Sequence, residues 1–444
     1  MILLAFIVGF SAALHAQQTR PVTLSEAIDL SLRNSKELRN SRAKVDEATA
    51  VLRQAKDNQL PDLKVSGSYL RVTQPNIDLK IKTAGGGGQS GTGGQSGGAT
   101  PNLNNIKVDQ AMYGIANLSL PLFSGFKIRY GIESARLLEK AAGLDADNDR
   151  EDVILNTIDA FANLYKAHAN VTLLQENLAQ SMKRDSDFAN LEKNGLLARN
   201  DMLKAELQTS TIEYNLVDAQ NNEQLADVTM DLLLGLPERT ILLPDSTSLQ
   251  ETPQLQDIDT YEKEALENRS DVTALRSRAR AAQLGVKSAK GDYYPVVALS
   301  GGYVAADIPN LFSVTNAVTY GIALQYNIGS FWKTGAKVAQ QKAKERQLAA
   351  SQDLLNDNIR LQVTQSYNDY LAALKKIEVS RKAIVQGQEN YKITKNKYNN
   401  SLVTMTDLLE ANVSLLQAQI NLELARADAV VAYHTIQRRA GILK

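Results

Sequence analysis

Two hydrophobic rhythms alternate along this chain. From Val318 the apolar residues take every second position, Val318, Tyr320, Ile322, Leu324, Tyr326 and Ile328, while Thr319, Gly321, Ala323, Gln325 and Asn327 stand between them. That period of two predicts a strand with one apolar face and one small or polar face. An earlier segment keeps the same parity, with Ala116, Leu118, Leu120 and Leu122 against Asn117, Ser119 and Pro121. Elsewhere the spacing is helical, as in Ile154, Ile158, Phe161 and Tyr165 and again in Tyr367, Leu371 and Leu374, which predicts packed helix faces. From Phe126 to Asn194 there is no proline, and glycine occurs only at Gly131 and Gly143. One helix of about 65 residues, roughly 100 Å long, fits there. Trp332 to Tyr398 repeats the feature, with glycine only at Gly335 and Gly387.

The chain is an internal duplication. Ala55-Lys56-Asp57-Asn58-Gln59-Leu60-Pro61 returns as Ala289-Lys290-Gly291-Asp292-Tyr293-Tyr294-Pro295, and Leu63, Val65, Gly67 and Tyr69 return as Val297, Leu299, Gly301 and Tyr303. The offset is about 234 residues. Gly195 to Ala205 matches Ser401 to Ala411, and Leu234-Gly235-Leu236 matches Ala440-Gly441-Ile442, at an offset of about 206. The difference places an insertion of about 28 residues in the first half, seated at the glycine and serine tract 84–100. Such a tract buries no apolar area and reads as a solvated loop; it has no Lys-Ser or Lys-Thr to make it a phosphate cradle. Each half therefore runs helix, strand, loop, strand, very long helix, tight turn, long helix. The expected division is a signal peptide at 1–16, a first repeat at 22–238 with strands about 62–73 and 112–123 and a flexible loop at 84–100, a linker at 239–256, and a second repeat at 257–444 with strands about 296–305 and 317–328.

Composition narrows the class. The 444 residues carry 49 basic and 49 acidic side chains, so nothing argues for nucleic acid. With no cysteine and only His15, His168 and His434, widely separated, there is neither a thiolate site nor a histidine cluster, and no metal or cofactor is expected. The apolar run Met1 to Leu14 is too short to span a bilayer and, with His15-Ala16 after it, reads as a secretory signal, although no Lys or Arg precedes it. No later apolar stretch reaches the roughly 18 residues of a membrane helix. If the protein crosses a membrane, strands must do it.

The strands alone fit either a half-buried sheet of a soluble domain or an outer-membrane barrel. The helices decide between these. A helix of such length has no globular core to lie on and must pack against equally long helices of its own or other subunits. Four strands cannot close a membrane barrel, which needs about eight, and one chain would leave two sheet edges exposed. Three copies supply twelve strands.

The duplicated pattern, the segment Pro121-Leu122-Phe123-Ser124-Gly125 after the second strand, and the two turns with Gly195 or Ser401 followed six residues on by Asp201 or Asp407 resemble the TolC family of outer-membrane efflux proteins. The resemblance runs from Leu24 to Leu443. It implies a mainly α protein with a membrane β-barrel portion: a homotrimer with a twelve-stranded barrel in the outer membrane of a Gram-negative bacterium and a twelve-helix periplasmic tunnel, closed at its mouth at rest. It also implies a periplasmic adaptor (membrane fusion) protein docked on the helical tips and an inner-membrane RND or ABC transporter, as in tripartite efflux or type I secretion.

The turns at Gly195, Leu196 and Leu197 and at Ser401, Leu402 and Val403 occupy the tip positions. Apolar pairs at solvent-facing turns read as a docking surface. By resemblance, Asp407 and Glu410 match the acidic rings that constrict the periplasmic aperture, with Glu410 in place of an aspartate, and Asp201 and Tyr398 match a pair that latches neighbouring coiled coils. The arginine of a companion latch is replaced by Val403. Six carboxylates about one axis would attract cations and repel one another; the plain alternative is that Asp201 and Asp407 sit at helix starts, where the dipole favours acids. Catalysis lacks candidates, since the acidic pair has no histidine, metal motif or phosphate loop beside it. A periplasmic coiled-coil adaptor or scaffold explains the helices but not the alternating strands around a glycine-rich insertion. Drug, metal and protein export all remain compatible with the sequence.

Overall fold

The computed structural model describes residues 19–71, 73, 109–237, 240–249, 253–309 and 312–443. The expected signal peptide 1–16 and the tract 84–100 lie outside the described residues. In chain order the elements are β1 (Thr19–Val22), α1 (Leu24–Asn34), α2 (Lys36–Asp57), β2 (Asp62–Arg71), β3 (Gln110–Phe123), α3 (Lys127–Lys193), α4 (Arg199–Leu234), β4 (Ile241–Pro244), α5 (Ile258–Asn268), α6 (Ser270–Lys290), β5 (Val296–Ile308), β6 (Phe312–Gln325), α7 (Ser330–Asn399) and α8 (Met405–Arg439). The order is that of a duplicated helix-strand-strand-helix unit. The helix expected before each hairpin is split in two. Ser35 does this in the first half: its N–H bonds to the Ser31 carbonyl at 2.8 Å, ending α1, while its hydroxyl accepts from the Leu38 N–H at 3.1 Å, starting α2.

Contacts divide the chain into two compact units, one of residues 1–48, 138–279 and 347–444, the other of 49–137 and 280–346. The second unit holds a four-stranded antiparallel sheet in the order β2-β3-β5-β6. Strand β6 begins earlier than the alternation predicted, at Phe312, and stops at Gln325, because Asn327 turns the chain by accepting the Ser330 N–H at 2.9 Å. Register fixes the faces, since directly paired residues share a side. Leu63, Leu118, Gly301 and Tyr320 are in line, as are Val65, Ala116, Tyr303 and Val318. The opposite face aligns Asp62, Ser119, Ser300 and Gly321, then Lys64, Asn117, Gly302 and Thr319. The apolar face is uncovered within one chain: Tyr320 is 91% exposed, Val65 77% and Ile322 71%. A sheet with water on that face would forfeit the burial that makes strands stable, so the face calls for an apolar environment such as the lipid of a membrane barrel. Gly125 explains the turn out of β3. Its φ is +62°, and a β-carbon there would stand 2.3 Å from the Gly291 carbonyl oxygen, so the two backbones meet only because both residues are glycine.

The first unit is built on the long helices. On α7 the residues Ile359, Val363, Ser366, Tyr370, Ala373, Ile377 and Ser380 are all buried, in alternating steps of four and three, the knobs-into-holes rhythm of a coiled coil. The expected core position Leu371 instead faces outward, because this 3.5-residue repeat places Tyr370 inside. The Tyr370 hydroxyl donates to the Pro253 carbonyl at 2.7 Å. Ile154, Ile158 and Phe161 are fully buried as their spacing predicts, beside Met230, Leu234 and Leu242. Leu242 lies in the segment 239–256, which is more than a linker: β4 pairs in parallel with β1 and carries Leu242 into the core. No helix among the described residues is long and apolar enough to cross a membrane.

Candidate functional site at the helical tips

The chain reverses twice between long helices, and the two reversals share one hydrogen-bond pattern. In the first, Gly195 N–H bonds to the Glu192 carbonyl and Leu196 N–H to the Leu191 carbonyl, both at 2.9 Å; in the second, Ser401 N–H bonds to Tyr398 and Leu402 N–H to Lys397, again both at 2.9 Å. These are the paired bonds of a Schellman motif, which satisfies the last carbonyls of a helix by placing one residue in the left-handed region. Gly195 has φ +71° and Ser401 φ +58°. Serine is unusual there because its β-carbon crowds the backbone.

The residue after the left-handed one points outward and the next turns back. Leu196 is 74% exposed and Leu402 73%. Leu197 was expected to be exposed as well; it is half-buried, packed with Phe188, Met202, Ala205, Met405, Leu408 and Leu409 in a tip core. Val403 is likewise half-buried. Each tip therefore presents one leucine rather than an apolar pair.

Asp407 and Glu410 are both exposed, three residues apart on α8. Asp407 also closes a capping box. Thr404 N–H and hydroxyl donate to its carboxylate at 2.8 and 2.7 Å, and the Thr404 oxygen accepts the Asp407 N–H at 3.3 Å. The Thr404 hydroxyl bond, then the backbone bond, hold the Asp407 carboxyl below its ordinary range. The equivalent start of α4 has Ala198 at its N-cap and no side-chain cap. There Asp201 accepts from Lys204 Nζ at 3.2 Å, so the first tip offers a neutral acid-base pair where the second offers two carboxylates. Tyr398 is half-buried against Phe188, ring centroids 5.8 Å apart. Burial first, and the charge of Asp201 second, raise its phenol above the usual tyrosine range. Within one chain Tyr398 thus senses Asp201, while the carboxylate's hydrogen bond goes to Lys204.

One feature near the tips was not read from the sequence. Inside the coiled coil Arg184 donates to Ser181 at 2.5 Å, the Ser181 and Thr209 hydroxyls are 2.7 Å apart, and Thr209 donates to Asp185 at 2.5 Å. Burial lowers the Arg184 pKa from its ordinary value, against the opposing charge of Asp185. The signal was available as polar residues on the inward seam, where a coiled coil trades stability for register.

Comparison with known proteins follows the same lines. The profile of the outer membrane efflux protein family matches residues 27–236 and 262–441. The chain is 23% identical over 428 residues to the outer membrane efflux protein BepC of Brucella suis, covering 94% of this chain and 85% of BepC. It is 23% identical over 467 residues to the outer membrane protein TolC of Escherichia coli, covering 99% and 86%. In fold it is similar to the outer-membrane channel OprN, with a TM-score of 0.75 at 18% identity over 94% of this chain and 89% of OprN. It is also similar to the CmeC channel of Campylobacter jejuni, with a TM-score of 0.76 at 15% identity over 94% and 85%.

Proposed function

The chain belongs to the outer membrane efflux protein family, and from that premise we propose that its two tips form the gated, pump-facing mouth of the duct. The protein is an outer-membrane efflux channel with a helical extension in the periplasm, and it carries out transport without catalysis. Members of this family act as trimers together with efflux pumps. Two observations support a trimer here: the sheet leaves β2 and β6 at its edges among the described residues, and α4 exposes Leu203, Leu207, Tyr214, Val217, Leu225 and Leu232 along one chain. Edges of this kind demand a partner strand, and an apolar helical stripe demands a partner helix. Three four-stranded sheets give twelve strands, enough for closure.

The observation that carries the mouth assignment is the matched pair of Schellman turns, each ending on one exposed leucine and followed by an acidic helix start. Leu196 and Leu402 form the docking points for a periplasmic adaptor, which would connect the duct to an inner-membrane transporter of the RND or ABC class. Gly195 and Ser401 shape the turns, and Leu197 and Val403 brace them from within. Asp407 and Glu410, lacking the lysine that neutralises Asp201, form the acidic aperture; three chains would gather six carboxylates. Asp201 and Tyr398 hold adjacent coiled coils together when the mouth is shut. Replacing Leu196 and Leu402 with aspartate tests the docking role. Export in cells should be lost while trimers still assemble in the outer membrane; normal export would place the adaptor elsewhere.

A further inference from the structure

Where β6 gives way to α7, a cavity of about 370 Å³ lies within the sheet-bearing unit. Its lining includes Lys127, Lys333 and Lys337 with one acid, Asp292. Asp292 is shared between two of these lysines, one on each oxygen: Lys127 Nζ at 2.5 Å and Lys337 Nζ at 2.6 Å. Lys333 has no ion-pair partner among the described residues. Three cations against one anion leave the cavity with two positive charges in excess.

Ser330 adds an independent observation. It lines the cavity and is only 7% exposed, yet its buried hydroxyl has no hydrogen-bond partner among the described residues. Leaving a buried hydroxyl unpaired costs about 1–3 kcal/mol, which a bound hydrogen-bond acceptor would recover. Ser330 is also the first residue of a 70-residue helix, whose amino end carries partial positive charge. Asn327 accepts the Gly329 N–H through Oδ1 at 3.0 Å, which leaves its amide NH₂ to donate. Cations, a hydroxyl donor, an amide donor and a helix start converge on one space. What they lack, beyond Asp292, is a negatively charged acceptor.

We propose that this cavity binds a tetrahedral oxyanion of the phosphate class, with Lys333 and Lys337 supplying charge and Ser330 donating a hydrogen bond. Gln325 and Val296, which pair across β6 and β5, place the cavity on the polar face of the sheet. That this face lines the lumen rests on the channel reading; the binding does not. Lodged there, the anion would be either free inorganic phosphate or the phosphate group of a passing solute.

The test is calorimetric titration of the full-length detergent-solubilised trimer with inorganic phosphate and, separately, with glycerol 3-phosphate, both in chloride buffer of matched ionic strength. Saturable binding of either is expected, and the tighter of the two identifies the source. Ser330→Ala removes one hydrogen bond to a charged group and should weaken binding by roughly tenfold. Lys333→Gln, on an exposed side chain, should weaken it by a similar factor while trimers elute normally. Absence of saturable binding, or binding undiminished in both variants, overturns the site. Wild-type pores that conduct in bilayers while binding no phosphate would overturn the site alone and leave the channel intact.

Discussion

Exchanging the residues at the two left-handed positions, Gly195→Ser and Ser401→Gly, isolates the backbone strain at the tips. The turns share their hydrogen bonds, so within each turn the exchange adds or removes one small side chain at the left-handed position and leaves the other residues as they are. A β-carbon at Gly195 meets no atom within 4 Å, which removes any steric contribution from neighbours. What remains is the left-handed penalty of about 1–2 kcal/mol, partly offset by about 0.4–1 kcal/mol because serine restricts the unfolded chain more than glycine does. The midpoints of these ranges leave a net of about 0.8 kcal/mol, a change of roughly fourfold in the local opening equilibrium. Hydrogen exchange of the Leu196 and Leu402 amides in intact trimers reads that equilibrium directly, because each amide makes the longer-range bond of its turn. Gly195→Ser should speed exchange at Leu196, and Ser401→Gly should slow it at Leu402. Changes of the same sign in both variants, or none in either, would refute the strain argument.

Other perturbations follow from charges buried or half-buried in the first unit. Arg438, whose side chain is 4% exposed, donates to Asp152 at 2.9 Å and to the Asn148 side chain at 2.7 Å, and lies 3.0 Å from Glu151. Arg438→Ala should lower stability by about 2–3 kcal/mol, because it leaves the Glu151 carboxylate, 14% exposed, without its cation, while Asp152, 42% exposed, regains water; a loss below about 1 kcal/mol in denaturant melts contradicts this. Asp227, beside Glu223, Asp231 and His168, is pushed up to about 6, chiefly by burial and against the hydrogen bond from Leu242 N–H. A raised carboxyl contributes stability that is complete below its unfolded pKa and is lost as pH rises through about 6. Asp227→Asn should therefore flatten the pH dependence of melting between about pH 4 and 7, and parallel curves for variant and wild type would exclude it.

Features set by local pattern were legible in the sequence, and features set by distant partners were not. The two sheet faces could be read because alternation belongs to each strand by itself, and the coiled-coil character of α3 and α7 because a run without proline admits little else. Leu197 and Leu371 were misplaced because a side chain's direction depends on the turn geometry and on the 3.5-residue seam, which three or four residues do not define. The pairing of β1 with β4 joins Thr19 to Ile241 across most of the first half, and no local signal marks it. Ser35 was missed because a serine is compatible with a continuous helix until its hydroxyl finds the next one's N–H. Asp407 could be read in two ways, as aperture or as cap. The capping box shows that it serves α8 within one chain, which leaves Glu410 as the acid with no such local duty.

That division makes single-channel recording the most direct test of the proposed mouth. Wild-type trimers, Asp407→Ala, Glu410→Ala and the double variant would be compared in planar bilayers, with a divalent cation added on the periplasmic side. The aperture reading predicts higher conductance and weaker divalent block in each variant, greatest in the double. Conductance and block unchanged in the double variant would contradict it.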